Sequence, residues 1–108
     1  MWRRYHANRY RRVALHMLGD LIAQQQTTVE QINRLIKAAS LVHWPASQVA
    51  HLHGADWIDF LRSSMRKSLP EGAFESLHRV YQDPHAQADD ALIAATRQWI
   101  KHHRRQHA

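Results

Sequence analysis

The sequence contains no cysteine, and it has only three glycines and three prolines among its 108 residues. Without cysteine the chain can form no disulfide, no thiolate metal site and no cysteine nucleophile. So few glycines and prolines exclude collagen-like and proline-rich linker sequences and argue against a turn-rich all-β fold. With 44% hydrophobic and 22% charged residues, the composition is typical of one globular domain.

Long hydrophobic runs are also missing. The longest stretch without a charged residue, 38–55, is interrupted by Pro45 and by serine, histidine and glutamine side chains. The core of a bilayer does not accept such residues. A secretory signal requires an apolar segment after its basic start, and no such segment follows the first four residues. We therefore expect neither a membrane span nor a signal peptide within this sequence.

Acidic residues are absent from both ends of the chain. Residues 1–19 contain five arginines and residues 91–108 contain four basic residues, whereas all nine acids lie between residues 20 and 90. The formal net charge of +6 therefore belongs to the two ends. A basic end suits a phosphate, a phospholipid headgroup or plain solvent. Lys101, Arg104 and Arg105 also suit the negative end of a helix dipole.

Apolar residues recur at three- and four-residue steps, which predicts an all-α single domain of five or six helices. The second helix should begin at a capping box, formed either by Thr27 with Glu30 or by Thr28 with Gln31. It should end before Pro45, because the residue before a proline disfavours the helical region. The other predicted helices cover residues 3–26, 46–52, 55–67, a short segment from Phe74 to Tyr81, and 88–105.

Two of these helices carry a long apolar stripe that we expect to be buried. The stripe on the first helix consists of Tyr10, Val13, Ala14, Met17, Leu18, Leu21 and Ile22. The stripe on the second helix consists of Val29, Ile32, Leu35, Ile36, Ala39 and Val42.

Ten histidines raise the question of a metal site. His103 and His107 are four residues apart and could share one helix face, but no acid lies near them to complete a site. His51 and His53 point in different directions on a helix. We therefore interpret the histidines as surface residues and expect neither a metal nor a cofactor.

The acidic residues give no sign of acid–base catalysis. Asp89 and Asp90 are adjacent and face apart on a helix, whereas Asp56 and Asp59 share a face but have no nucleophile beside them. No phosphate-binding loop, dinucleotide fingerprint or serine elbow is present. We expect no enzymatic activity.

The alternative functional hypothesis is a DNA-binding helix-turn-helix motif. Residues 47–57 have the rhythm of this motif, with the small Ala50 followed by Gly54 in the turn. The second helix, however, opens with Asp56 and Asp59 where contacts to phosphate would be needed. Nucleic-acid binding is therefore not favoured, and a DNA-binding regulator is kept as the second hypothesis.

Four segments resemble a bacterial family of unknown function made up of small inner-membrane proteins. They are residues 9–15, residues 33–39, residues 44–61 and residues 99–105. The spacing V-A-x-L-x-G-x-x-W-x-x-F-L in the third segment is the most specific. Genes of this family lie beside those of MoxR-type AAA+ ATPases and von Willebrand factor A proteins of Bat-type operons.

The resemblance implies an N-terminal transmembrane helix that precedes Met1 in the native protein. Residues 1–9 would then be a basic juxtamembrane stretch, and residues 10–108 a helical domain on the cytoplasmic face of the inner membrane. Aromatic residues interleaved with arginines are typical of such a stretch, although a basic helix turn in solvent has the same composition. The residues expected beside the membrane are Trp2, Arg3, Arg4, Tyr5, Arg9, Arg11 and Arg12.

The resemblance also implies an adaptor or scaffold that binds a MoxR-type ATPase or a von Willebrand factor A protein, and it supplies no catalytic residues. Helical spacing gives the third segment a structural meaning, because an aromatic stripe at that spacing is normally core. The expected core residues are Val49, Leu52, Gly54 in its turn, Trp57, Phe60, Leu61 and Trp99. Function is then left to the surface.

Overall fold

The structure is a computed structural model that describes the backbone of residues 2–104 and the side chains of residues 9–104. Within this part of the chain the expected all-α fold is confirmed, with five α-helices and one 3₁₀ helix. None of the described helices combines the length and the hydrophobicity that crossing a bilayer requires. The elements are α1 (Trp2–Ala23), α2 (Val29–His43), α3 (Ala46–Val49), α4 (Gly54–Ser63), the 3₁₀ helix η1 (Glu75–Tyr81) and α5 (Asp90–His102).

The hairpin of α1 and α2 is set by its turn. Gln25 takes a positive φ of 57°, and the side chain of Thr28 accepts a hydrogen bond from the Gln31 amide at 3.2 Å. The second of the two expected capping boxes is therefore the one that starts α2. The Tyr10 ring lies 6.0 Å from the His43 ring, so the first half of α1 lies beside the end of α2 and the two helices are antiparallel.

The segment after η1 ties the start of α5 to the start of α2. The Val29 amide donates to the Ala86 carbonyl, and the Glu30 amide donates to the Pro84 carbonyl. Asp89 caps α5, because its side chain accepts from the Leu92 amide at 2.8 Å. Both helices therefore begin at the same end of the molecule.

The core surrounds α2, which contacts α1, α3, η1 and α5. Its inward face is fully buried as expected, from Val29 to Ala39. The largest side chains that complete the core are Leu18, Leu61, Phe74, Leu77, Leu92, Trp99 and Ile100.

Four helices are shorter than expected: α1 ends at Ala23, α5 spans only Asp90–His102, and α3 and α4 also end early. α3 ends at Val49, and α4 ends at Ser63 although helical spacing extends it to residue 67. The chain leaves α4 because the Arg104 amide donates to the Ser64 carbonyl at 2.6 Å and the Arg66 amide donates to the His102 carbonyl at 3.2 Å. These hydrogen bonds join the ends of α4 and α5, and no local sequence pattern predicts them.

The expectation of fully buried stripes is wrong at four positions. Val13, Met17 and Ile22 on α1 and Val42 on α2 are exposed, with 39–52% of their surface accessible. Only the centre of the α1 stripe, Ala14 and Leu18, is buried. The neighbours of α1 cover the middle of its apolar face and leave both edges open to solvent.

Candidate interaction surface

The two central segments that carry the family resemblance are joined by one set of contacts. The indole nitrogen of Trp57 donates to the Asn33 side-chain oxygen at 2.8 Å. The Lys37 ammonium donates to the carbonyls of Val49 and Leu52, at 3.3 and 2.7 Å, and lies 4.0 Å from the centre of the Trp57 ring. Partial burial lowers the pKa of Lys37 below its ordinary value. These residues hold α2, α3 and α4 together.

We call the contacts that join Asn33, Lys37 and Trp57 the clamp. The remaining expected core residues are buried or partly buried. Gly54 has a φ of +57°, a conformation that favours glycine, and its amide donates to the Tyr81 hydroxyl at 3.0 Å. Val49, Trp57, Leu61 and Trp99 are buried, whereas Leu52 and Phe60 are partly buried.

A chain of aromatic rings runs from Trp57 in α4 to Tyr10 in α1. Neighbouring rings in it have centroids 4.4–6.2 Å apart, the range in which aromatic pairs attract each other. The chain passes through Trp57, Phe60, Trp44, Trp99, His103, His43 and Tyr10. It leads from α4 through Trp44, directly after α2, to α5, and then from the end of α5 through His43 of α2 to α1.

His103 lies inside this chain, so the expectation that it is a surface residue is wrong. Only 1% of its surface is exposed, and its ring stacks on Trp99 at 4.4 Å. His51 and His53 are exposed as expected, and His107 lies outside the described residues. Within the described residues no three histidine or acidic side chains are arranged to hold a metal ion.

Two contacts of Nδ1 bear on the tautomer of His103. Nδ1 lies 2.8 Å from the Trp99 carbonyl, which can only accept, and 3.3 Å from a guanidinium nitrogen of Arg11, which can only donate. We assign the proton to Nδ1 because the carbonyl contact is the shorter of the two. The Nε2 atom is then an acceptor, and it is buried without a hydrogen-bond partner. Burial lowers the pKa of His103 from 6.5 to about 3, assisted by the positive charge of Arg11. His103 is therefore neutral at physiological pH.

Arg11 closes the C-terminal end of α5 from outside the helix. Its guanidinium donates to the Ile100 carbonyl at 2.8 Å and to the His103 carbonyl at 2.9 Å. Helix C-termini leave such carbonyls without intrahelical partners, and a cation there also complements the helix dipole. The described contacts thus assign this role to an arginine of α1, in addition to the basic residues that α5 itself carries.

Replacing Arg11 by methionine is expected to lower the free energy of unfolding by about 1–3 kcal/mol, because two half-buried carbonyls lose a charged donor. The matched control is Arg12→Met on the next, exposed position, for which we expect a change below about 0.5 kcal/mol. Urea unfolding followed by circular dichroism measures both. Equal losses in the two variants would contradict the capping role of Arg11.

The two basic ends of the sequence meet in the folded chain. Arg11 brings the first half of α1 to the end of α5, and the backbone contacts of Arg66 and Arg104 bring the end of α4 to the same place. We call the side chains that this arrangement exposes the basic end. They are Arg9, Arg12, Arg66, Lys67, Lys101 and Arg104, and none makes an ion pair with a described acid.

Acidic residues gather at the opposite end of the molecule. Asp89 and Asp90 start α5, and Glu30 in the first turn of α2 lies against the segment that contains Asp83. The 13 residues of α5 separate the two ends by about 20 Å. The domain therefore carries a charge dipole along α5.

An apolar groove of about 460 Å³ lies between α1 and α2. Its apolar lining consists of Met17, Leu21, Leu35 and Ala38. The exposed Val13 lies four residues before Met17 and the exposed Val42 four residues after Ala38, so each extends the groove by one helical turn. Every exposed large hydrophobic residue among the described ones except Tyr81 lies on α1 or α2.

The structure of residues 47–57, the candidate helix-turn-helix segment, does not favour DNA binding. α3 has four residues, and α4 exposes Asp56 and Asp59. The basic side chains lie at the end of α4 and on other helices. Nothing in the comparisons with known proteins points to a DNA-binding regulator.

Fold and surface together define a small all-α domain with a basic end, an acidic end and an open apolar groove. The chain belongs to the family described as Domain of unknown function (DUF4381), whose model matches residues 1–102. No curated protein and no solved structure matches the chain.

Proposed function

We propose that this domain is a membrane-anchored adaptor or scaffold that acts by protein–protein interaction on the cytoplasmic face of a bacterial inner membrane. The proposed partner is a MoxR-type ATPase or a von Willebrand factor A protein, which the resemblance of residues 9–15, 33–39, 44–61 and 99–105 implies. The expected juxtamembrane side chains of Trp2, Arg3, Arg4 and Tyr5 lie outside the described side chains.

The groove between α1 and α2 is the observation that carries the proposal. Exposed apolar side chains that line one groove are typical of a surface on which a partner docks. The groove is bordered by Asp20 and Arg34, which give it a polar rim of both signs. An amphipathic helix of the partner, with its apolar face on Met17, Leu21 and Ala38, has the matching chemistry.

Replacing Met17 by glutamine is expected to weaken binding of the purified partner at least about tenfold, because Met17 is the exposed large hydrophobic side chain of the groove lining. The matched control is Ile22→Gln, which changes an equally exposed residue of α1 outside the groove. Isothermal titration with the ATPase and the von Willebrand factor A protein encoded beside the gene measures the affinity. Equally strong partner binding in both variants would refute the groove as the binding site. Absence of binding to either partner would refute the proposed function.

A further inference from the structure

The basic end is a charged surface that binding of a protein in the groove does not use, and only Arg9 and Arg12 of it belong to the expected juxtamembrane residues. Arg9 and Arg12 come from α1, Arg66 and Lys67 follow α4, and Lys101 and Arg104 belong to the end of α5. They are far apart in sequence, so only the fold creates this surface. We infer that the basic end docks the domain on the headgroups of an anionic phospholipid bilayer.

Charge supplies the first argument. All six side chains are exposed, and no described acid neutralises them. The acids at the other end of α5 orient the domain, since an anionic surface attracts one end and repels the other. Each lysine or arginine that reaches an anionic bilayer adds a modest attraction, and several together suffice for measurable binding.

The backbone at this end favours a diffuse anionic surface over a compact phosphate site. α2, α4 and α5 all end here, and helix C-termini present carbonyl oxygens, which repel phosphate. A tight phosphate site is normally built on amide groups at a helix N-terminus. Long flexible side chains over carbonyl ends suit headgroups that spread over a plane.

Exposed aliphatic side chains distinguish a bilayer from a nucleic acid as the partner. Leu41 and Val42 occupy the last turn of α2, whose His43 ring lies 4.4 Å from the ring of His103 at the end of α5. Val13 lies on α1 between Arg12 and the groove. Basic residues beside exposed aliphatic ones are the composition of interfacial membrane contacts.

The inference extends the membrane side of the proposed function to the folded domain itself, and it requires neither a membrane span nor a protein partner. The test is co-sedimentation of the 108-residue chain with vesicles of phosphatidylcholine alone or mixed with phosphatidylglycerol. We expect binding only to the mixed vesicles and a decrease with added salt. Equal binding to both kinds of vesicle, or to neither, would overturn the inference.

Charge reversal locates the surface. Arg66→Glu and Lys101→Glu are each expected to lower the partition coefficient on mixed vesicles about tenfold. Arg79→Glu is the matched control, because it changes the net charge equally but its carbonyl accepts from the Asp83 amide at the acidic end. We expect it to change binding less than about twofold. Equal losses in all three variants would show that only net charge matters and would overturn the assignment.

A competition experiment distinguishes a bilayer from a nucleic acid as the partner of the basic end. Duplex DNA of random sequence is added to the protein bound to mixed vesicles. Continued vesicle binding at physiological salt supports the bilayer, and release of the protein into a DNA complex would overturn it. The result is independent of the partner titration with Met17→Gln, which contains no lipid. Failure of either proposal can therefore be recognised without reference to the other.

Discussion

Acidification from neutral pH to about pH 4 is expected to lower the free energy of unfolding by about 3 kcal/mol through His103 alone. The unfolded chain protonates this residue near its ordinary pKa of 6.5, whereas the folded chain does so only near 3. Between these values the unfolded state binds more protons, so stability falls as the pH falls. Above pH 6.5 both states are neutral and the contribution of His103 is constant.

The groups around His103 all act in this direction except one. Arg11 from α1, His43 from α2 and Arg66 after α4 lower its pKa, while the hydrogen bond to the Trp99 carbonyl raises it. His103→Phe keeps an aromatic ring in the stack and removes the proton acceptor. Urea unfolding at a series of pH values should show a shallower loss for this variant than for the original protein.

Carboxylates also titrate in this pH range, so the comparison needs a second histidine. His51→Gln removes an exposed histidine and is expected to keep the full acid-dependent loss. If His103→Phe and the original protein lose stability in parallel, the buried neutral state of His103 is wrong. The same result for His51→Gln and His103→Phe would place the effect elsewhere in the chain.

Replacing Trp57 by alanine is expected to lower the free energy of unfolding by about 3–5 kcal/mol, a large part of the stability of such a domain. The ring is 3% exposed, stacks against Phe60 at 5.8 Å and lies under the Lys37 ammonium. Its removal leaves a cavity and also separates the Asn33 oxygen from its donor. Thermal and urea unfolding measure the loss, and Val42→Ala is the exposed control.

A double-mutant cycle isolates the polar part of this contact. Trp57→Phe keeps most of the ring under Lys37 but removes the indole donor, for which we expect a loss of about 1–2 kcal/mol. In a chain that already carries Asn33→Ala the same change should cost clearly less, because its partner is gone. Strictly additive losses would contradict the hydrogen bond between Asn33 and Trp57.

Local patterns were sufficient for the helical class and for the start of α2. The step of the apolar residues predicted the all-α fold, and Thr28 caps α2 as in one of the two expected boxes. The start of α5 differs from the prediction, because Asp89 caps this helix from outside whereas the predicted helix begins at Ala88. Gly54 lies in the predicted turn with a positive φ. These features depend on residues within a few positions of one another.

Contacts between distant segments were not predictable in the same way. The C-terminal end of α4 is set by residues about 40 positions later, and Arg11 reaches Ile100 across 89 positions. His103 looked like one of several histidines in a basic tail, and only the packing of Trp99 and His43 against it shows that it is buried. Spacing alone gives no sign of such burial.

Two properties of this protein follow from its amino-acid sequence alone: the helical class, and the division into a middle that carries all the acids and two basic ends. They depend on composition and on helical periodicity, which act locally. Three others exist only in the folded chain: the described parts of both basic ends lie together, His103 is neutral and buried, and the apolar stripe of α1 is wider than its neighbours cover. Charge and burial at these places depend on which helices meet, and long-range packing alone determines that.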